Sequence, residues 1–309
     1  MLTFKQKTIA TQVSCSGIGL HSGKKVQLAL TPAPDNTGIV FRRVDLNYYP
    51  IKADIKYASR LSYATNLSRN GVSIATTEHL LGTLIGLGID NLYVDIDAEE
   101  VPIMDGSASA FVYLINEAGV RHGDAEKKVL NIVKPVHFAT GDRRVSVYPS
   151  ENYQITYSIE FDHAVVGSQK KTIEIDDAET FENEVSGART FGFLKDVEML
   201  RKNGLALGGS LDNAIVIDTD RVLNSHLRFK DEFVRHKILD VMGDMGLLGY
   251  TLRGHVVAHR AGHEIHAGLA KKLRESESAF EIVPLSTLVQ PVGHEGLEAL
   301  AEVEVPSNY

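Results

Sequence analysis

Each half of the chain runs through the same order of patterned segments, alternating strands followed by a helix, a strand and a second helix, and few architectures accept that order twice. In the first half Val26, Leu28 and Leu30 fall on one face of a strand. Pro32-Ala33-Pro34-Asp35-Asn36 supplies the turn before Gly38-Ile39-Val40-Phe41. An apolar helix is expected from about 78 to 87, N-capped by Thr76 or Thr77 and followed by Gly88, and after it the strand Asn91 to Ile96. A second helix spans about 107 to 118, where Phe111, Leu114, Ile115 and Ala118 recur at helical spacing, with Asp105 or Ser107 to cap it and Gly119 to end it. The polar stretch from Arg121 to Lys128 then breaks the pattern. Strands return at about 129–136, 143–148, 153–161 and 171–175, and the second half closes with a long helix near 229–248, a strand at His255 to His259 and a helix from about 262 to 274. Such an order predicts an α+β fold of two similar layers packed against each other, with a site at their junction. The units expected are 1–125 and 126–309, the second with an insertion near 177–205 that reads as a short amphipathic helix, the segment Thr190-Phe191-Gly192-Phe193 and another short helix.

Layers of this kind need a core, which 309 residues with 43% apolar side chains can supply. The lone cysteine, Cys15, has no disulfide partner within the chain, and the opening Met1-Leu-Thr-Phe-Lys5 lacks the apolar run of a secretory signal, so a reducing cytoplasm is the expected compartment. No window approaches the roughly 18 uninterrupted apolar residues of a membrane span, and no integral membrane segment is expected. A net charge of -8 and a pI near 5.8 provide no field attractive to a polyanion. That argues against nucleic acid as a partner and requires any phosphate site to be local.

Gly17-Ile-Gly-Leu-His-Ser-Gly-Lys-Lys25 fails both phosphate-loop patterns. A Walker loop needs Gly where Ile18 stands and Ser or Thr where Lys25 stands; the dinucleotide fingerprint fails at Ser22, and a strand rather than a helix follows. His255, His259, His263 and His266 form a tempting group, but Val256-Val257-Ala258 reads as strand and Ala261-Gly262 interrupts any helix, so the four are not expected on one face. In the helix around Asp231 to Asp244, however, His236, Asp240 and Asp244 stand four apart and line up in one stripe. An imidazole and a carboxylate one turn apart make half of a divalent-metal site and favour zinc or iron over magnesium or calcium. Glu78-His79, at the start of the first-half helix, is the obvious donor of the third ligand that a catalytic zinc needs, with Glu78 beside it as general base. Taken singly, a His-x-x-x-Asp on a helix is most often a surface pair or a capped hydrogen bond, and Glu-His at a helix start is commonly just a favourable charge near the dipole. Spacing alone does not bring positions 79 and 236 together.

The stretches Gly17-Ile-Gly-Leu-His-Ser-Gly-Lys24, Thr76-Thr-Glu-His-Leu80, Gly86-Leu-Gly-Ile-Asp-Asn91, Pro102-Ile-Met-Asp-Gly-Ser107, Ala188-Arg-Thr-Phe-Gly-Phe193, Leu207-Gly-Gly-Ser210 and Phe233 to Asp244 follow one another in an order that resembles the UDP-3-O-acyl-N-acetylglucosamine deacetylase family of lipid A biosynthesis. The resemblance covers nearly the whole chain. It implies two β-α-α-β layers packed as a sandwich around the active site, and a zinc ion, with iron as the alternative, on His79, His236 and Asp240. Glu78 would be the base that helps water attack the N-acetyl amide of UDP-3-O-(3-hydroxyacyl)-N-acetylglucosamine, giving the free amine and acetate. His263 would be the imidazolium acid, held by Asp244, and Thr190 the hydroxyl that donates to the oxyanion. Implied substrate contacts are Lys237, His21, Phe161, Asp162 and Phe191, the last in an apolar passage for the acyl chain with Val197 and Ala206; core packing would satisfy the same aromatic side chains. The expected partners are that UDP-sugar lipid and water, and the expected working unit is a monomer. The family pattern has Asn where this chain has His266, which puts in doubt the hydrogen bonds around His263 and the pKa of the acid. A nucleotide-sugar-binding protein without catalysis is the rival class, and the complete set of ligands and acid–base groups argues against it.

Overall fold

The computed structural model describes residues 4–288; residues 1–3 and 289–309, the latter the last stretch of the second expected unit, lie outside the described residues. The fold is α+β, with several sheets and six α-helices among the described residues. A five-stranded sheet runs in the order Val13–Ile18, Lys25–Pro32, Leu92–Ile96, Ile39–Arg43, Tyr49–Lys52. The alternation read from the sequence sets its register: Leu28 pairs with Ile96 and Leu30 with Val94, and all four are buried on the same face. A seven-stranded sheet is built around Thr251–His259, which pairs antiparallel with Arg143–Tyr148 on one edge and parallel with Lys128–Ile132 and Tyr153–Glu160 on the other.

The helices are α1 (Glu78–Gly86), α2 (Ser109–Ala118), α3 (Ala178–Phe181), α4 (Leu194–Lys202), α5 (Glu232–Gly246) and α6 (His263–Glu275). Every residue of α1 except Ile85 is buried, and so is every residue of α5 from Glu232 to Met245 except Lys237. A helix buried on all sides belongs in the interior, and these two pack on each other there. Glycine lets them come close. A Cβ on Gly243 would run into the carbonyl oxygen of Glu78, and one on Gly82 would stand 2.7 Å from Cδ1 and 2.9 Å from the carbonyl oxygen of Leu239. α6 packs on the other side of α5 and against the strands Val136–Thr140 and Arg143–Tyr148.

Some expectations change. The polar stretch after 120 is no break: Val120–Glu126 is a largely exposed strand that pairs antiparallel with Lys5–Ile9, and its backbone bonds need no apolar alternation to form. Neither threonine caps α1 through its side chain. Thr77 Oγ1 donates to Thr65 O and Thr76 Oγ1 to Glu100 Oε1, because both hydroxyls are used to fasten neighbouring loops. Ala108, not Asp105 or Ser107, stands at the cap position of α2, although the Ser107 hydroxyl accepts from the amide of Ser109, the first helical residue, at 3.2 Å. The insertion contains α3, continued by a π turn over Glu182–Ser186, the strand Phe191–Phe193 and α4.

Candidate active site

Buried ions cost several kcal/mol each unless neighbours compensate, so the polar residues of α1 and α5 mark where chemistry is built. Glu78 and His79 open α1 at 3% and 4% exposure, and His236, Asp240 and Asp244 follow one another up α5 at 2%, 2% and 1%. The close helix crossing brings His79 against His236, ring centroids 4.9 Å apart and edge-on. Asp240 Oδ1 lies 3.3 Å from His236 Nε2 and 3.6 Å from His79 Nε2, and it is a buried carboxylate oxygen without a hydrogen-bond partner among the described residues. His236 Nδ1 donates to Ala188 O at 3.1 Å, which leaves the Nε2 lone pair aimed at its neighbours. Burial drives His236 down to about 3 despite the pull of Asp240. Burial also opposes the Asp240 charge, but Lys237, whose Nζ donates to Oδ2 at 2.7 Å, and His236 hold that carboxyl well below the usual range. Neutral imidazole and ionised carboxylate are the forms that bind a cation. With one ligand atom from each residue within 4.8 Å of the others, an orphaned oxygen facing two imidazoles fits a divalent metal ion.

A second cluster adjoins the first. Asp244 Oδ2 accepts from Nδ1 of His263 at 2.9 Å and from Nδ1 of His266 at 2.8 Å, and its Oδ1 accepts from the Thr65 hydroxyl. Burial penalises both charges of the Asp244–His263 pair, yet their attraction wins, placing the carboxyl at about 2 and the imidazolium at about 9. His263 Nε2 lies 3.8 Å from Glu78 Oε1. Burial raises the Glu78 carboxyl, against the opposing pull of His263 and His79, and Thr65 N donates to its Oε2 at 2.9 Å. A carboxylate made more basic than usual thus faces an imidazolium across a short gap.

Glu78, His79, His236, Asp240 and His263 line one cleft of about 440 Å³, together with Thr190, Phe191, Lys237 and His21. Asp244 stands behind His263 rather than in the wall. Phe161 and Asp162 lie elsewhere, in a neighbouring cleft of about 600 Å³ with Phe193 and Lys195; the Phe161 and Phe191 rings, 5.9 Å apart, stand where the two clefts meet. Lys237 is engaged with Asp240 and sits 5.5 Å from the centre of the Phe191 ring. Of the passage residues, Val197 is half-buried on α4, and Ala206 N donates to His21 Nδ1 at 3.4 Å. The segment carrying Thr190 is pinned by Arg189, whose N and Nε donate to Glu232 Oε1 one turn before His236. The glycine-rich turn is no anion loop, because its His21 and Ser22 amides donate to the buried Glu100 carboxylate at 2.8 Å each.

The structure adds residues that the sequence did not single out. Thr65 ties Glu78 to Asp244 and has no motif around it. Arg143 brings a guanidinium to the cleft wall. Tyr157 reaches His266, and its signal was a phenol at an inward position of an apolar strand. The four histidines from His255 to His266 divide into two pairs: His255 and His259 stay on the sheet, while His263 and His266 meet on Asp244.

Comparison with known proteins gives the same direction. Residues 6–275 match the family model described as UDP-3-O-acyl N-acetylglycosamine deacetylase. The chain is 48% identical over 282 residues to a protein of Acidithiobacillus ferrooxidans, and 47% identical over 282 residues to one of Hahella chejuensis, covering 90% of this chain and 93% of the relative in both cases. It is 48% identical over 284 residues to one of Myxococcus xanthus, covering 91% of this chain and 90% of the relative. Each of the three relatives is named UDP-3-O-acyl-N-acetylglucosamine deacetylase.

Proposed function

This chain belongs to the UDP-3-O-acyl-N-acetylglucosamine deacetylase family and is a deacetylase of lipid A biosynthesis, and from that premise we propose that it hydrolyses the N-acetyl amide of UDP-3-O-(3-hydroxyacyl)-N-acetylglucosamine with a zinc ion held by His79, His236 and Asp240. The observation that carries the metal is the buried, unpartnered Asp240 Oδ1 beside two imidazole nitrogens. Iron is the alternative ion, since imidazole and carboxylate accept several first-row metals. The bound ion supplies Lewis-acid polarisation of the acetyl carbonyl and acidifies the attacking water.

The protein's own groups do the rest. Glu78 takes a proton from the water as its oxygen bonds to the acetyl carbon, a task suited to a carboxylate of raised proton affinity. Thr190, at the cleft wall, donates to the developing oxyanion. His263, charged and held at Nδ1 by Asp244, gives its Nε2 proton to the amide nitrogen as the C–N bond breaks. Acetate and the free amine leave, and the proton held by Glu78 returns His263 to its charged state across the 3.8 Å gap. Lys237, His21, Phe191, Phe161 and Asp162 bind the remainder of the substrate, spread over the two neighbouring clefts. The accompanying fold reading is two similar β-α-α-β layers over residues 1–125 and 126–309, supported by the contact of α1 with α5 at the site. A monomer working in the cytoplasm completes it.

The decisive experiment is acetate release from UDP-3-O-acyl-N-acetylglucosamine by purified protein, before chelation, after it, and after zinc is restored. Activity that disappears and returns is expected. Chelation without effect would sink the metal reading, and inactivity of the freshly metallated protein would sink the reaction.

A further inference from the structure

His266 has no part in the reaction described above, yet it is fully buried and fully engaged. Its Nδ1 lies 2.8 Å from Asp244 Oδ2, the same oxygen that holds His263 Nδ1 at 2.9 Å. Its Nε2 is 3.0 Å from the phenol oxygen of Tyr157, which also stands 2.8 Å from the carbonyl oxygen of Ala261. Ala261 precedes His263 by two residues, so the contacts close into a ring through His263, Asp244, His266, Tyr157 and the backbone at the start of α6.

Proton counting assigns the roles. An ionised carboxylate only accepts, so each imidazole presents an N–H at Nδ1 to Asp244. His263 therefore carries its transferable proton on Nε2, the nitrogen 3.8 Å from Glu78 Oε1. Two donors on one oxygen each draw charge from it, and each weakens the hold on the other. The single Tyr157 proton serves either Ala261 O or His266 Nε2; in the second arrangement Nε2 accepts, which fixes the proton of neutral His266 at Nδ1. Burial keeps His266 below the ordinary histidine range, against the attraction of Asp244. The titratable groups around the two rings are Glu78 from α1, Asp240 and Asp244 from α5, His21 from the glycine-rich turn and Tyr157 from the sheet.

We propose that His266 is a positioning residue for the deacetylation: by donating to the Asp244 oxygen that also holds His263, it keeps the His263 proton on the cleft side and loosens it for transfer to the leaving nitrogen. This rests on the reading of His263 as the acid. His266 touches no substrate, since it is 0% exposed and lies outside the cleft wall.

The test combines nitrogen-15 NMR of the histidines in full-length, metal-free protein with the pH profile of acetate release by zinc-loaded enzyme, for wild type, His266→Phe and His266→Asn. In wild type His266 is expected to show a protonated Nδ1 and a bare Nε2. In His266→Phe the His263 titration and the alkaline limb of kcat are expected to move up by about half a pH unit or more, because Asp244 has lost a competing donor. KM should stay unchanged. His266→Asn, whose amide can donate to Asp244, should return both most of the way. His266 in the Nε2–H tautomer overturns the proposal, as does a folded His266→Phe protein with an unmoved His263 titration. If the Phe variant does not fold, the wild-type tautomer and the Asn variant decide. Normal acetate release with an unmoved limb in His266→Phe overturns the proposal alone; no release from zinc-loaded wild type instead sinks the deacetylase reading, and with it the catalytic role given to His266.

Discussion

At the scale of single residues, Glu78 and His263 are separated in role by what surrounds them. Burial raises Glu78, whereas Asp244 outweighs burial at His263 and places it at about 9. Glu78→Gln should therefore lower kcat by about 10²–10⁴, the usual contribution of a positioned base, while leaving metal content unchanged, as measured by acetate release and metal analysis. Metal loss in that variant would instead make Glu78 a ligand. His263→Gln should remove the alkaline limb of the pH profile, read from acetate release at stepped pH. Stability follows the same groups with definite signs. His263 is raised, so its contribution is fully present below its unfolded value and is lost as pH rises through about 9; Asp244 is depressed, so its contribution is present above the unfolded carboxylate range and is lost as pH falls through about 2. Denaturant titrations of the metal-free protein at stepped pH should show stability falling at both ends, and His263→Gln should flatten the alkaline fall.

At the scale of elements, the site exists because α1 and α5 approach closely enough for His79 to meet His236. Gly243 permits that approach, and Gly243→Ala would drive a methyl group into the Glu78 carbonyl. The expected cost is about 1–3 kcal/mol of stability, read as a lowered Tm. Metal affinity and kcat should fall with it, because the strain enters at the residue next to a ligand. A Gly243→Ala protein with wild-type Tm and metal affinity would show that the helices slide apart at no cost. Much of this level is readable from the sequence: the bounds of α1, α5 and α6 fall within a few residues of the expected helices, and the insertion has its two short helices, with the segment between them forming the strand Phe191–Phe193. Val120–Glu126 was not readable, because a strand this exposed carries no apolar period. The caps of α1 were not readable either. A threonine before a helix advertises a cap, and only the fold shows that Thr65 and Glu100 claim the hydroxyls first.

At the scale of the whole molecule, the interior holds charges that a core built only for stability would replace with apolar side chains. The ligand triad was partly legible, since His236 and Asp240 share a helical stripe by arithmetic, whereas the meeting with His79 depends on a crossing that spacing does not encode. The sharing of Asp244 by His263 and His266 was hidden for a related reason: it needs α6 docked on α5. A metal ion turns this costly interior into a stable one. It binds the folded chain, where the three ligands converge, and at a thousandfold excess over its Kd that adds about 4 kcal/mol. Chelation should therefore lower Tm and zinc should restore it, measured by thermal unfolding with acetate release followed in parallel. Asp240→Asn separates this linkage from generic damage. The substitution removes the ligand oxygen and also the charge paired with Lys237, which is held well below the usual carboxylate range, so the variant should gain nothing from zinc and should unfold well below zinc-loaded wild type and modestly below the chelated wild type. If Asp240→Asn instead unfolds far below the chelated protein, Asp240 holds the core together through its Lys237 contact, and the interior charges are structural first and catalytic second.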